Sequence, residues 1–381
     1  MQMKSGIFHT PFMRPDRTAR ETFDWAIRLA VEADKAGFSD FMIGEHATQA
    51  WESIPNPEIV IGACAAVTKQ LRFAPMGHLL PLHEPGSLAI QTGWLSRILE
   101  GRYFLGIGRG AYPADFVIRG HADWFKDGKP DWTEARIRMT ESMEIMRKVW
   151  ERKPFHYQGQ YLQGGFPEEP EHSEGETQHH LLSDHSPWGG ADNLEIAITG
   201  MTLNSPSMQW AGENGWMPIS FFGGSQILKS HWETYSAAAE ANGYTPDRAN
   251  YRVCREMFVA DTDEEAKRLA LSGMGETWRR YLLPIYKEFG IFQGYVTDSG
   301  VDVHPNDVDM DFIAEHVWLC GTPETVIRKF ERMIEITGGQ GWGTHCMVSH
   351  DYIDNPEPWI ESMHRIANEV IPKVNVQLAV A

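Results

Sequence analysis

Short apolar runs alternate with longer amphipathic stretches along most of the chain. Ser5 to Phe8 is the first such run, breaking at Pro11 and Pro15. Thr18-x-x-Glu21 then has the spacing of a capping box ahead of Phe23, Ile27, Ala30 and Val31, which recur at helical intervals until Gly37. The unit repeats: a strand over 38–44 ending in Glu45-His46, then a Pro-rich loop and a helix over 57–68. A strand over 71–80 follows, then a helix over 86–99 and a strand over 102–107. A helix over 132–150, a strand over 194–199 and a helix opened by Ser205-Pro206 continue the series. Strands over 217–222, 251–260 and 344–349 complete it, separated by a helix over 225–242, one capped by Asp261 and one opened by Thr322-Pro323. A last helix runs over 356–371. Eight strands, each apolar on both faces and each followed by a helix, predict a parallel (β/α)8 TIM barrel. The alternation is kept over all of 1–381, so a single barrel domain is expected, with a doubly wound open sheet as the alternative. Two stretches lose the period, about 154–193 and 273–311, and are expected as loop insertions at the carboxyl face.

Composition narrows the function. At 381 residues and 42% hydrophobic content the chain can bury a large core, and its formal net charge of −18 opposes nucleic acid or an anionic membrane as partner. Cys64, Cys254, Cys320 and Cys346 are widely spaced and read as packing residues of a reduced, cytoplasmic chain. The amino-terminal residues lack the apolar core of a signal peptide, and no apolar run is long enough to span a membrane.

In a barrel of this kind chemistry sits at the carboxyl ends of the strands. His9, Glu45-His46, Gly77-His78, Gly108-Arg109, the 200–205 segment, Phe221-Phe222, Glu256 and His350 fall there. Neither H-x-H at the first strand nor H-E-x-x-H is present, so no catalytic metal is expected. His172, His179, His180 and His185 read as part of a solvated loop. In Gly101 to Tyr112, three alternating glycines enclose Arg109, whose planar fork suits an oxyanion. Gly106-x-Gly108-x-x-Ala111 is a poor dinucleotide fingerprint, because it meets Pro113 instead of opening a helix. A cation after the fourth strand, a capped Asn204-Ser205-Pro206 helix start and small residues on the third strand describe a site for a phosphate bearing a flat ring.

These residues carry a resemblance. With Gly44-Glu45-His46, the third strand up to Leu80-Pro81, Gly101-Arg102 with Gly106 to Gly110, Ser205-Pro206 and Gly321-Thr322-Pro323-Glu324, the chain resembles the bacterial-luciferase-like family of flavin-dependent monooxygenases. The F-H-x-x-F-M-R-P opening and N-S-P-S-M at 204–208 are most similar to the diketocamphane monooxygenases, which oxygenate terpenoid ketones. The resemblance implies reduced FMN supplied by a separate reductase, O2 as co-substrate, a small apolar substrate, a homodimer and a Baeyer-Villiger insertion of one oxygen. It implies that Arg109 and Asn204-Ser205 hold the phosphate; Ala111, Tyr112 and Thr202 are expected as further cofactor-binding residues. Met76, Gly77 and Gly108 would back the ring, with a cis peptide at Met76-Gly77. His46 would meet the reacting edge of the flavin, positioned by Glu45, and Phe8, Phe12, Trp51, Phe221 and Phe222 would line the substrate pocket. Gly108 replaces the cysteine of true luciferases, so light emission is not implied. The alternatives are a relative using the deazaflavin F420, an FMN enzyme transferring hydride, and a non-catalytic flavin-binding subunit.

Overall fold

The structure is a computed structural model and describes residues 2–126, 129–168 and 182–380. They form two compact units, Met1–Met76 with Ile196–Ala381, and Gly77–Glu195.

Local signals build the first unit. Thr18 caps the helix Ala19–Ala36 by accepting from the Glu21 N–H, while Glu21 accepts from the Thr18 N–H at 2.8 Å. Gly37, at φ 81°, ends it in the left-handed region that glycine adopts without strain. The strand Lys4–Phe12 lies between Asp40–Ile43 and Thr344–His350, parallel to both. Arg72–Pro75 extends the sheet beyond the former. Arg252–Arg255, Met217–Phe221 and Ile196–Gly200 extend it beyond the latter. First and last strands are thus neighbours, as closure of a barrel requires. Thr344–His350 is buried at every position, as expected for a parallel strand covered on both faces. At the amino ends Arg252 Nε meets Asp40 Oδ2 at 3.2 Å, both side chains buried, and Arg252 also donates to the Asn250 carbonyl at 2.7 Å. Two charges so placed hold each other, and removing one would leave the other buried alone.

Three expectations in this unit are corrected. The strand over 251–260 is broken at Glu256: Arg252–Arg255 stays in the large sheet, while Met257–Val259 pairs with Leu319–Gly321. The latter strand has three residues and leaves no period to read. The next helix, Asp263–Ser272, is capped by Thr262, whose hydroxyl accepts from the Glu265 N–H, and not by Asp261. The insertion expected over 273–311 is mainly helical, with Met274–Glu288 continuous and Phe292–Ser299 following. Its aromatics Trp278, Tyr281, Tyr286, Phe292 and Tyr295 are buried.

In the second unit His78–Leu79 pairs in parallel with Leu105–Gly108. The expected strand over 71–80 is therefore two segments. Gly77, between them, accepts no side chain: a Cβ there would meet the Ile107 backbone at 2.7 Å. The helices Pro85–Leu99 and Trp132–Glu151 are joined by Trp150, which donates to the Ala89 carbonyl at 2.8 Å. Pro113 opens a short helix, Pro113–Ile118, where none was expected; proline suits a first turn because its missing N–H would be unpaired there anyway. The stretch expected to be irregular from 154 begins as an antiparallel hairpin, Phe155–Gln158 with Gln163–Phe166. Glu141 gathers the N–H groups of its turn, accepting from Tyr161 at 3.1 Å and Leu162 at 2.8 Å. His172, His179 and His180 lie outside the described residues. Among the described residues no helix is long and apolar enough to cross a membrane.

Candidate active site

The carboxyl ends of the first unit's strands hold the acid–base groups. Gly44 donates to the His9 carbonyl at 2.9 Å and His46 to the Ile54 carbonyl at 3.0 Å, fixing the backbone after the second strand. Glu45 is buried. The carboxylate found on the His46 ring is Glu52, whose Oε2 lies 3.0 Å from His46 Nε2. Its other oxygen accepts from Tyr281 Oη at 2.6 Å. Tyr281 in turn stacks on Trp51, with ring centroids 6.1 Å apart and planes 12° apart. With Nε2 donating to Glu52, a neutral ring would carry its acceptor lone pair on Nδ1. Glu52 and Tyr281 were not legible: Glu52 sits in a Pro-rich loop with no pattern around it, and Tyr281 is 229 positions away.

Phe8, Phe12, Phe221 and Phe222 are brought together. Phe8 and Phe221 rings are 4.7 Å apart, Phe221 and Phe222 3.9 Å, and Phe12 and Phe222 6.4 Å. Phe222 takes φ 43°, unusual for so bulky a residue, and packs against Tyr286 at 5.0 Å and Trp278 at 6.2 Å. Trp278 donates to Glu256 Oε1 at 3.0 Å, and His350 Nε2 is 3.8 Å from the same oxygen. His9 Nδ1 lies 2.6 Å from Ser349 Oγ, and burial beside His350 pushes its pKa down to about 3, so it is neutral.

The 202–205 segment is held from behind. His231 Nε2 donates to the Thr202 carbonyl at 2.8 Å, and its Nδ1 is 2.7 Å from Ser220 Oγ, which lies 2.5 Å from Tyr251 Oη. Burial pushes His231 down to about 4, so the neutral ring with one N–H matches this arrangement. Asn204 sits at φ 49°, its N–H donating to Ser230 Oγ at 2.9 Å. The capped helix start is corrected: Ser205 is the residue before Pro206–Asn214, but its hydroxyl makes no capping bond. In the first turn Pro206 has no N–H, and the Met208 and Gln209 N–H groups donate to the Ser205 carbonyl at 3.0 and 3.2 Å.

The second unit holds the cation. Arg109 follows the strand Leu105–Gly108 and lies over the Trp132 ring at 4.1 Å. Burial and the neighbouring Arg136 both push its pKa down. Among the described residues neither arginine forms an ion pair. Two adjacent guanidinium groups without an ion-pair partner among the described residues, in a chain of net charge −18, have the chemistry that suits an oxyanion. Gly110, at φ 90°, turns the chain after Arg109, and a Cβ on Gly108 would make only ordinary contacts, with the Leu79 side chain at 3.5 Å and the Gly77 carbonyl at 4.0 Å. Gly108 is therefore not imposed by packing; it leaves open space on that wall. Ala111 is exposed, and Tyr112 precedes the helix Pro113–Ile118, its carbonyl accepting from Asp115 at 3.1 Å. Arg109, Gly108 and Gly110 thus fit a phosphorylated, planar group.

Comparison with known proteins agrees with this chemistry. The luciferase-like monooxygenase family matches residues 3–340. The chain is 53% identical over 375 residues to 2,5-diketocamphane 1,2-monooxygenase 1 of Pseudomonas putida, covering 98% of this chain and 100% of that one. It is 48% identical over 379 residues to 3,6-diketocamphane 1,6-monooxygenase of the same organism, covering 98% and 99%. A solved structure of the oxygenating constituent of 3,6-diketocamphane monooxygenase from Pseudomonas putida, a type II Baeyer-Villiger monooxygenase in complex with FMN, is similar with a TM-score of 0.90. Its identity is 47%, over 98% of this chain and 99% of that one. The fold is accordingly the luciferase-like (β/α)8 barrel.

Proposed function

The chain belongs to the luciferase-like monooxygenase family, and we propose that it is the oxygenating component of a two-component enzyme converting a cyclic terpenoid ketone to a lactone. Reduced FMN, delivered by a separate reductase, supplies the activation of O2 for transfer of one oxygen atom. The observation that carries this reading is the Arg109 guanidinium, seated on Trp132 beside Arg136 with no ion-pair partner among the described residues. In the second unit Arg109 would hold the cofactor's phosphate; in the first unit Thr202, Asn204 and Ser205 would be cofactor-binding residues by family resemblance, with the Thr202 carbonyl held by His231. Ala111 and Tyr112 would flank the phosphate, while Met76, Gly77 and Gly108 would face the ring.

His46, oriented by Glu52, holds or accepts a proton at Nδ1 beside the reacting atoms. Glu45 supports it as a buried neighbour in the chain. Phe8, Phe12, Trp51, Phe221 and Phe222 would exclude water and receive an apolar ring. A homodimer is part of the proposal. The helix Pro85–Leu99 exposes Ile90, Trp94 and Ile98 at i, i+4, i+8 spacing, with Trp94 59% exposed, an apolar stripe suited to a second copy.

The test mixes the protein anaerobically with reduced FMN and a cyclic ketone, then admits 18O2. One labelled oxygen in a lactone is expected; turnover only with reduced F420, or product without label, would sink the proposal.

A further inference from the structure

A cavity of about 600 Å³ lies wholly within the first unit, lined from the helix Phe292–Ser299, the segment 314–320 and the helix Pro323–Ile336. Its floor is cationic. Arg255 is 5% exposed, lies over the Tyr295 ring at 4.8 Å and donates one Nη to the Gly223 carbonyl. Lys329 donates to the carbonyls of Trp318 at 3.1 Å and Cys320 at 3.2 Å. Among the described residues neither makes an ion pair, so both charges are held by backbone dipoles. Arg255 Nε and Tyr295 Oη are buried with no hydrogen-bond partner among the described residues, and both residues line the cavity. An unpaired buried donor is costly unless something accepts from it. Burial pushes the Tyr295 phenol up to about 12, so it stays a neutral donor. Val317, Trp318 and Leu319 make an apolar wall. At the edge the carboxylates Asp263, Glu264 and Glu315 alternate with the cations Lys267, Arg328 and Arg332.

We propose that this cavity is a binding site for a small organic carboxylate with an apolar body, separate from the flavin site. The Arg255 fork and the Tyr295 hydroxyl would take the carboxylate, and the apolar wall its hydrocarbon. The apolar wall sets an organic monocarboxylate above inorganic phosphate, which has no hydrocarbon to place against Val317, Trp318 and Leu319. The same cavity touches the turn after Phe222. Arg255 holds Gly223, and Asp298 Oδ2, also in the lining, accepts from the Ser225 N–H at 2.6 Å. A carboxylate at Arg255 competes with the Gly223 carbonyl for that donor.

Isothermal titration of the full chain with cyclohexanecarboxylate, and separately with inorganic phosphate, tests the assignment. One carboxylate per chain should bind, and Tyr295→Phe should weaken it about tenfold. That change removes a hydroxyl with no hydrogen-bond partner among the described residues, so the melting temperature and FMN affinity should stay as in the parent. Lys329→Gln, which can still donate to the Trp318 and Cys320 carbonyls, should weaken binding as well. Absence of carboxylate binding up to about 10 mM, phosphate binding as tightly as the carboxylate, or an affinity indifferent to both substitutions would each overturn it.

Discussion

Arg109 shows how one side chain can keep a charge available. Stacking on Trp132 supports the guanidinium plane without neutralising it, and Arg136 adds repulsion that an incoming oxyanion relieves. Arg109→Met should therefore weaken FMN binding by about 10- to 100-fold, read by quenching of flavin fluorescence, with little change in melting temperature. His46 works through a different logic, because the acceptor on one ring nitrogen is set by what the other donates to. His46→Ala should keep FMN affinity and lose oxygenation by about 100-fold or more. Tyr281→Phe should lower kcat by a few-fold, since it removes one of the bonds that hold Glu52 but keeps the stack on Trp51. Unchanged kcat in both variants would remove this chain of contacts from the reaction. His46 was legible because it follows an apolar run ending at a barrel rim. Glu52 was not, because a carboxylate in a Pro-rich loop looks the same whether it faces solvent or a histidine.

At the scale of elements, the strands and outer helices follow from period and caps, and the departures share a cause. The segment 273–311 has lost its period because its aromatics pack on several sides; Trp278, Tyr281 and Tyr286 meet residues of the pocket, not a single flat face. A helix buried all round gives no amphipathic stripe to read. The strand over 251–260 is broken because Glu256 turns inward to Trp278, an event with no trace in hydropathy. The insertion is also fastened at one close approach: a Cβ on Gly224 would lie 2.8 Å from the Gly294 backbone. Gly224→Ala must push the helix Phe292–Ser299 away from the start of Ser225–Ala241. Destabilisation of about 1–3 kcal/mol is expected, together with a raised KM for the ketone; a thermal melt and steady-state kinetics check the pair.

For the whole molecule, the histidines set the response to acid. His9 and His231 are held down at about 3 and about 4, and His345 and His350 are also lowered, all chiefly by burial. In the unfolded chain they titrate near 6.5. Above that pH both states are neutral there and the full stability is present. Below it the unfolded state binds protons that the folded state refuses, so stability falls as the pH drops from 6.5 toward 4. Each such histidine adds a slope of up to about 1.4 kcal/mol per pH unit. Melting temperatures should fall steadily between pH 7 and pH 5; a flat profile would mean that these rings are protonated inside the fold. The sequence showed many histidines but not which were enclosed, since enclosure is decided by neighbours hundreds of positions away.

The four cysteines, all buried and none in a disulfide, have a further consequence. Burial pushes the Cys64 and Cys320 thiols up to about 12, so in the folded chain these sulfurs are shielded and protonated. A thiol reagent can reach Cys64, in the helix Pro57–Val67, and the facing pair Cys254 and Cys346, on adjacent strands, only when the structure opens, which makes them two separate clocks. The order in which they are modified would give the order in which the barrel comes apart.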